Sequence, residues 1–282
     1  MTLGTDFQFS QGSLQDFVDC RRRFQLRYIE ERAWPAVQAE PALENERYLE
    51  RGSRFHHMVY QYFLGVPAEK LTRAAEHDEN LAQWWRNFLA QGPDLSGQQQ
   101  YPEIALSAPL GDYRLVAKYD LIAIQPGEDR PSQATIYDWK TSRKRTKRTW
   151  LKEKLQTRVY PYLLARAGSQ LNDGQAPKPE QIEMVYWFSN FPQQAAHLPY
   201  NEEQFEEDEA YLLALIEEIE ALGEEKAPLT EDESRCRFCV YRSLCDRGVK
   251  AGPLEELEGF NEREEQGIDL ELDFDAVDEV VY

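Results

Sequence analysis

The feature that most narrows the fold is a change of texture at Tyr101. From there the chain runs through Ile104-Ala105-Leu106, Tyr113 to Ile124 and Thr135 to Trp139, short β-rich stretches separated by Gly-Asp and Pro-Gly-Glu-Asp turns. Such runs, closed by turn formers, predict a three-stranded meander. Helical periodicity brackets it. Ser10 to Tyr28 carries Leu14, Phe17, Val18, Phe24 and Tyr28 at helical spacings, with Ser10 or Ser13 as N-cap, and predicts a helix ending near Cys20. Tyr48 to Phe63 predicts a second helix, and Trp84, Trp85, Phe88 and Leu89 a third that stops at Gly92-Pro93. Beyond the meander come a predicted helix over 151–167, a buried strand over Ile182 to Phe188 and an acidic amphipathic helix over 202–222. The expectation is an α/β or α+β fold with a mixed sheet flanked by helices.

Composition decides how much of the chain that fold uses. With 282 residues, 41% of them hydrophobic and 12% aromatic, the chain can fill a sizeable core. No apolar run reaches the roughly 18 residues needed to cross a bilayer, and the start, Met1-Thr2-Leu3-Gly4-Thr5-Asp6, lacks a basic, then apolar signal pattern, so a cytoplasmic location is expected. Four cysteines would then stay reduced, and their spacing reads first as metal or cluster ligation.

The net charge of −19 argues against nucleic acid until its distribution is considered. Residues 254–282 hold twelve acidic residues and one basic residue, Arg263, and so carry −11 of that total. This acidic tail alternates acid with apolar residues and lacks the mass for a core, so the folded domain is expected to span 1–253 and the tail to be flexible or to dock as a strand. It reads as a solvating segment, a partner motif or a mimic of DNA. Within the remainder, Arg143, Lys144, Arg145, Lys147, Arg148 and Lys152 place six positive charges in ten residues. That run is either a phosphate-binding strip or a solvated helix start.

The run directly follows Asp138-Trp139-Lys140. On a strand, Asp138 and Lys140 project from one face and Trp139 from the other. Asp120 stands on the preceding run, and antiparallel pairing through the Pro126-Gly127 turn would bring it beside Asp138. Two such carboxylates suit a hard cation such as Mg²⁺, which polarises a phosphate and acidifies water while a lysine steadies the developing charge. An isolated Asp-x-Lys is more often the pattern of a solvated strand. Its surroundings favour chemistry: Gly52-Ser53-Arg54-Phe55-His56 precedes it on a predicted helix, and Gln156 and Tyr160 follow one helical turn apart on another. His57 would face about 100° away from His56.

The order Gly-x-x-x-His, Asp-Leu-Ile, Asp-Trp-Lys-Thr, Gln-x-x-x-Tyr, spread over Ser10 to Cys245, resembles the RecB-like branch of the PD-(D/E)XK nuclease superfamily. The resemblance implies a restriction-endonuclease-like core, His56, Asp120 and Asp138 as ligands of Mg²⁺ or Mn²⁺, Lys140 as the catalytic lysine, and Gln156 and Tyr160 as a motif beside the active site. Glu103 would match an upstream acidic residue of the family. The chain departs from the pattern at Ala117, usually Gly, and at Tyr60, often Glu; Ala117 would narrow the approach to DNA.

Cys236-Arg237-Phe238-Cys239 and Cys245 form a Cys-x2-Cys-x5-Cys cluster, and Cys20 is a fourth thiol. Ligand number alone does not separate Zn²⁺ from an iron–sulfur cluster. One Cys before the nuclease motifs and three after them is similar to the AddB-type nucleases and the CRISPR-adaptation exonucleases, which implies a 4Fe-4S cluster joining the N- and C-terminal parts; the residue after Cys20 is Arg21 where those families often have proline. The combined expectation is a metal-dependent deoxyribonuclease, an exonuclease acting on DNA ends or single strands in repair, recombination or defence. The alternative is a non-catalytic DNA-binding or assembly subunit with the same fold, and a weaker one is a zinc-stabilised interaction protein. No P-loop of the form Gly-x4-Gly-Lys-Ser/Thr is present, so unwinding would need a helicase partner.

Overall fold

The computed structural model describes residues 3–4, 6–32, 42–127, 132–172, 174–223, 225–237 and 239–248. The acidic tail, and Glu128 and Asp129 of the expected turn, lie outside the described residues.

A short strand missed by the sequence reading, β1 (Gln8–Ser10), leads into α1 (Gln11–Asp19). Of the two candidate caps Ser10 is the N-cap, and Ser13 completes a capping box three residues on: the Ser10 hydroxyl accepts from the Ser13 N–H at 3.1 Å, and the Ser13 hydroxyl accepts from the Ser10 N–H at 2.9 Å. Cys20 is extended and ends the helix. The chain then turns through α2 (Arg21–Phe24) and a wide π-type turn, Gln25–Ile29. Three helices follow, α3 (Ala42–Phe63), α4 (Ala68–Ala75) and α5 (Glu79–Gln91). Of these, α4 was not expected, because its eight residues carry only Leu71 and Ala75 inward.

The expected meander is present as β2 (Gln99–Leu110), β3 (Tyr113–Gln125) and β4 (Gln133–Lys140). The single helix expected over 151–167 is two, α6 (Arg148–Glu153) and α7 (Leu155–Ala167). Lys154 separates them with an extended backbone (ψ 140°), so apolar periodicity continues through the break and hides it. The chain then forms β5 (Ile182–Phe188), a second short strand missed from sequence, β6 (Ala196–Pro199), and α8 (Glu202–Glu220), capped by Asn201.

Among the described residues six strands make one mixed sheet. β3 pairs with β2 antiparallel from Tyr113 to Ile124, with a break at Asp120. Its other edge is divided: Arg114 to Val116 pair in parallel with β1, and Leu121 to Gln125 pair antiparallel with β4. β5 lies parallel to β4, and β6 antiparallel to β5. The larger core joins one sheet face to α1, α7 and α8 through residues such as Leu14, Phe17, Val159, Leu163, Leu212 and Ile216. The smaller core, on the other face, packs Phe55 and Val59 of α3 and Trp85 and Phe88 of α5 onto Leu121, Trp139 and Trp187. Helices on both faces of a mixed sheet make this an α/β fold.

Ala117 lies in the larger core, which corrects the expectation that it borders an approach to DNA. No helix of the described residues is long and apolar enough to cross a membrane.

Candidate active site

The division of the β3 edge creates the site. The β3–β4 ladder ends at Leu121↔Tyr137, and continuing its register sets Asp120 opposite Asp138. There the strands part, and the Asp120 carboxylate fills the gap: Oδ2 accepts the Trp139 backbone N–H at 2.8 Å, and Oδ1 lies 2.9 Å from His56 Nδ1 on α3. The strand alternation slips at the same point. Leu115 and Tyr119 face the larger core, and so do Ile122 and Ile124, whereas Leu121 and Ala123 face the smaller one. One phase change at Asp120 therefore lets its carboxylate reach a neighbouring strand and the α3 side together. β2 slips in step. Glu103, opposite Asp120 in the β2–β3 register, has a left-handed backbone (φ 53°), which for a non-glycine residue costs about 1–3 kcal/mol. Its carboxylate pairs with Lys118 at 2.5 Å.

Asp138 and Lys140 project to the opposite face from Trp139, as their two-residue spacing requires, and meet α7. Gln156 Nε2 donates to Asp138 Oδ1 at 2.5 Å, while Lys140 Nζ donates to Gln156 Oε1 at 3.2 Å. The Lys140 ammonium also lies 2.8 Å from Asp138 Oδ2 as an ion pair. All three side chains are almost fully buried. Tyr186 of β5, beside Asp138 in register, lies under Lys140 with its ring 5.5 Å from the ammonium. Its hydroxyl is 2.7 Å from Thr157 Oγ1 and 3.5 Å from Gln156 Oε1. Sequence reasoning missed Tyr186, since one aromatic inside a buried strand carries no signal beyond packing.

Charge is distributed unevenly. Burial disfavours a cation at His56, but the Asp120 carboxylate, with Asp138 and Glu103 behind it, outweighs burial and pushes its pKa up to about 9. Burial opposes ionisation of Asp120 as well, yet His56 and the Trp139 N–H hold its pKa below the ordinary value. At Asp138 burial prevails over Lys140, helped by the Asp120 charge, and its pKa is raised. Two carboxylates and an imidazole facing one gap form a donor set that suits a hard divalent cation. Among the described residues no three such groups already stand at metal-ligating spacing: His56 and Asp120 are hydrogen-bonded to each other instead.

The remaining candidates are arranged around this centre. Tyr160 lies one turn beyond Gln156, its ring 4.8 Å from that of Tyr119 and its carbonyl accepting the Tyr119 hydroxyl. His57 is exposed, its ring 6.2 Å from Tyr60, apart from the carboxylates. Gly52 is small for a reason, because a Cβ there would come 3.2 Å from Thr141 Oγ1. The segment after Lys140 is further tied down by Tyr48, whose hydroxyl donates to the Thr141 carbonyl, and by Asn190, which donates to the carbonyls of Thr141 and Ser142 at 3.0 and 2.9 Å. From that anchor Arg143, Lys144, Arg145, Lys147 and Arg148 are exposed, with Thr146 turned inward. Arg148 gives one donor to the His197 carbonyl at 2.7 Å.

The cysteines are unpaired and half-buried. Burial pushes the Cys239 thiol up to about 11 and raises Cys236 and Cys245, and charge on Cys20 adds to the shift at all three, so the four lie within electrostatic reach. Salt bridges draw their segments together: Asp19 pairs with Arg23 at 2.8 Å and with Arg235, and Asp16 with Arg23 at 2.7 Å. Gln25 bonds the Glu225 carbonyl at 2.7 Å and the Ala227 N–H at 2.8 Å. They are not gathered into a metal-ligating set among the described residues.

Two solved structures match this chain over most of their length. The crystal structure of SSO0001 is 14% identical, with a TM-score of 0.41, 86% of this chain and 87% of that one being covered. A protein from Eubacterium rectale named "Putative exonuclease" is 11% identical, with a TM-score of 0.49 and coverages of 88% and 91%. No curated protein matches. The family model of the PD-(D/E)XK nuclease superfamily matches residues 8–246, a span that begins at β1, takes in the divided β3 edge and ends just past Cys245. The chain belongs to the PD-(D/E)XK nuclease superfamily.

Proposed function

We propose that the chain is a Mg²⁺- or Mn²⁺-dependent deoxyribonuclease of the RecB-like branch, acting as an exonuclease on DNA ends or single strands. The observation that carries this reading is the convergence of Asp120 and Asp138 across the parted strands, with Lys140 held against Asp138 and Gln156 spanning the two. His56, Asp120 and Asp138 would hold the cation, which supplies Lewis acidity at the scissile phosphate and lowers the pKa of the attacking water. Gln156 fixes the carboxylate through its NH₂ and the ammonium through its carbonyl, so the one amide orients both. Lys140 then presents a fixed positive charge toward the gap, where it steadies the water and the charge that develops on phosphate oxygen. Hydrolysis joins the water oxygen to phosphorus and breaks the bond to one sugar oxygen, leaving a phosphomonoester and a hydroxyl. Tyr160 borders this centre, and Arg143, Lys144, Arg145, Lys147 and Arg148 lead the backbone to it.

End-labelled single- and double-stranded DNA, incubated with Mg²⁺ or Mn²⁺, tests the site. The wild type cleaves; Asp138→Ala and Lys140→Ala do not. Undiminished cleavage by both variants refutes the assignment, and inactivity of the wild type with both metals leaves the non-catalytic DNA-binding subunit in its place.

Cys20, Cys236, Cys239 and Cys245 are proposed to hold a 4Fe-4S cluster, with Zn²⁺ as the alternative, supported by their mutual electrostatic reach and by the salt bridges that join their segments. It would close domain 1–253 by tying its two ends, a structural role. Metal analysis and visible absorption of anaerobically purified protein distinguish iron from zinc, and absence of both removes the cluster. A helicase partner would supply the unwinding for which the chain has no P-loop.

A further inference from the structure

Resting on the nuclease reading, we propose that Trp150 stacks on an unpaired base of the incoming strand, so that the DNA reaches the site as a single strand. Leu151 is fully buried and anchors α6, and the side chain one position before it is turned outward. Trp150 is 42% exposed, unusual for the largest apolar side chain, and it lies within the basic run rather than on an apolar patch. Arg143, Lys144, Arg145, Lys147 and Arg148 precede it and Lys152 follows, all exposed. The Lys147 ammonium lies 5.7 Å from the Trp150 ring centre, so a cation and a π-face are offered together.

An exposed aromatic face within a cationic strip matches one partner chemistry, a polyanion that also presents flat rings. Single-stranded DNA does this at every nucleotide, whereas a duplex hides its faces in the stack. Of the other exposed large side chains, Val18, Leu64, Leu89 and Leu244 are aliphatic, and the aromatic Tyr62 and Tyr211 lie outside the basic run.

The position is also coupled to the catalytic centre. The carbonyl of Leu151 accepts from Thr157 Oγ1 at 2.5 Å, Thr157 Oγ1 meets the Tyr186 hydroxyl at 2.7 Å, and that hydroxyl lies 3.5 Å from Gln156 Oε1. Thr157 donates to Leu151 and Tyr186 to Thr157, so two hydrogen bonds join the residue next to Trp150 to the Tyr186 ring that lies under Lys140 and beside Gln156. A base held on Trp150 places the following backbone on a segment whose position relative to the site is fixed.

The test is binding in EDTA, where nothing is cleaved. The probes are fluorescein-labelled dT20, a strand of the same length made wholly of abasic sites, and a 20-base-pair blunt duplex. Trp150→Ala is expected to weaken dT20 about 5- to 150-fold and to leave the abasic strand unchanged, whereas Trp150→Phe keeps most of the affinity. Lys144→Ala serves as the contrast: it weakens dT20 and the abasic strand alike and lowers the salt slope by about 0.7. Equal losses on dT20 and the abasic strand, or no loss on either, overturn stacking. If the wild type binds dT20 and cleaves DNA with Mn²⁺ while Trp150→Ala matches it, stacking alone fails. If the wild type neither binds nor cleaves, the nuclease reading fails with it.

Discussion

Replacing Gln156 by glutamate tests the logic of the site directly. The wild-type amide is a donor to Asp138 and an acceptor for Lys140. In Gln156→Glu the new side chain keeps the second role and loses the first, setting a carboxylate about 2.5 Å from that of Asp138 where a hydrogen bond stood. Two charges at that distance repel by about 7 kcal/mol at an effective dielectric constant of about 20. A less costly arrangement exists, because one proton on the pair restores the donor and rebuilds the wild-type pattern. The penalty is then capped at the free energy of taking up that proton, about 1.4 kcal/mol for each pH unit above the unfolded value of about 4.3. It amounts to about 1 kcal/mol at pH 5 and about 4 kcal/mol at pH 7. The sign follows from linkage: the pKa of the folded pair is raised, the folded state binds more protons, and stability relative to wild type falls as pH rises. Urea unfolding of wild type and Gln156→Glu in EDTA at pH 5, 6 and 7 measures the gap. Gln156→Leu, which adds no second carboxylate, serves as a control with a shallower slope, that of Asp138 deprived of its donor. A gap between wild type and Gln156→Glu that is constant with pH would show that Gln156 does not bridge Asp138 and Lys140.

Other perturbations probe the same arrangement. With a His56 pKa of about 9, a cation competes with a proton, so apparent Mn²⁺ affinity should rise with pH and level off near 9, a slope that calorimetry should find missing in His56→Ala. Tyr186→Phe removes the hydroxyl facing Thr157 and Gln156 but keeps the ring under Lys140; kcat should fall about tenfold with KM for DNA unchanged, and a change in KM alone would deny Tyr186 a positioning role. Asp19→Ala leaves Arg23 and Arg235 without their shared carboxylate and should cost about 3 kcal/mol in urea unfolding, whereas a loss below about 0.5 kcal/mol would mean that this network does not join the two ends.

The parts legible in the sequence are those governed by period and spacing. The meander, the α3 and α5 helices and the placement of Asp138 and Lys140 opposite Trp139 follow from alternation, and Asp120 follows from the register that alternation implies. β1 and β6, with three and four residues, are too short for a period to emerge. The break at Lys154 is a backbone event inside an unbroken apolar pattern. The slip at Asp120 is the instructive case: its trace is a change of parity, with Tyr119 and Ile122 both facing the larger core, but parity has meaning only once the faces are known. Glu103 is illegible for the same reason, since nothing in Tyr-Pro-Glu-Ile marks the third residue as left-handed.

That slip explains why the site lies where it does. A regular antiparallel pair would direct Asp120 and Asp138 to one face, and an imidazole from the opposite face could not reach either. Turning Asp120 into the gap puts His56 on one side and Asp138, Lys140 and Gln156 on the other within a single charged set. Two cations, His56 and Lys140, then balance two anions, Asp120 and Asp138, and Glu103 is balanced by Lys118. Without a bound cation the cluster is thus close to neutral, which keeps two carboxylates tolerable in a buried place. A divalent cation that displaces the His56 proton leaves the cluster about one charge positive, matched to one phosphate diester. The same geometry that makes the cluster stable by itself would therefore make a cation-loaded site attractive to a phosphate diester.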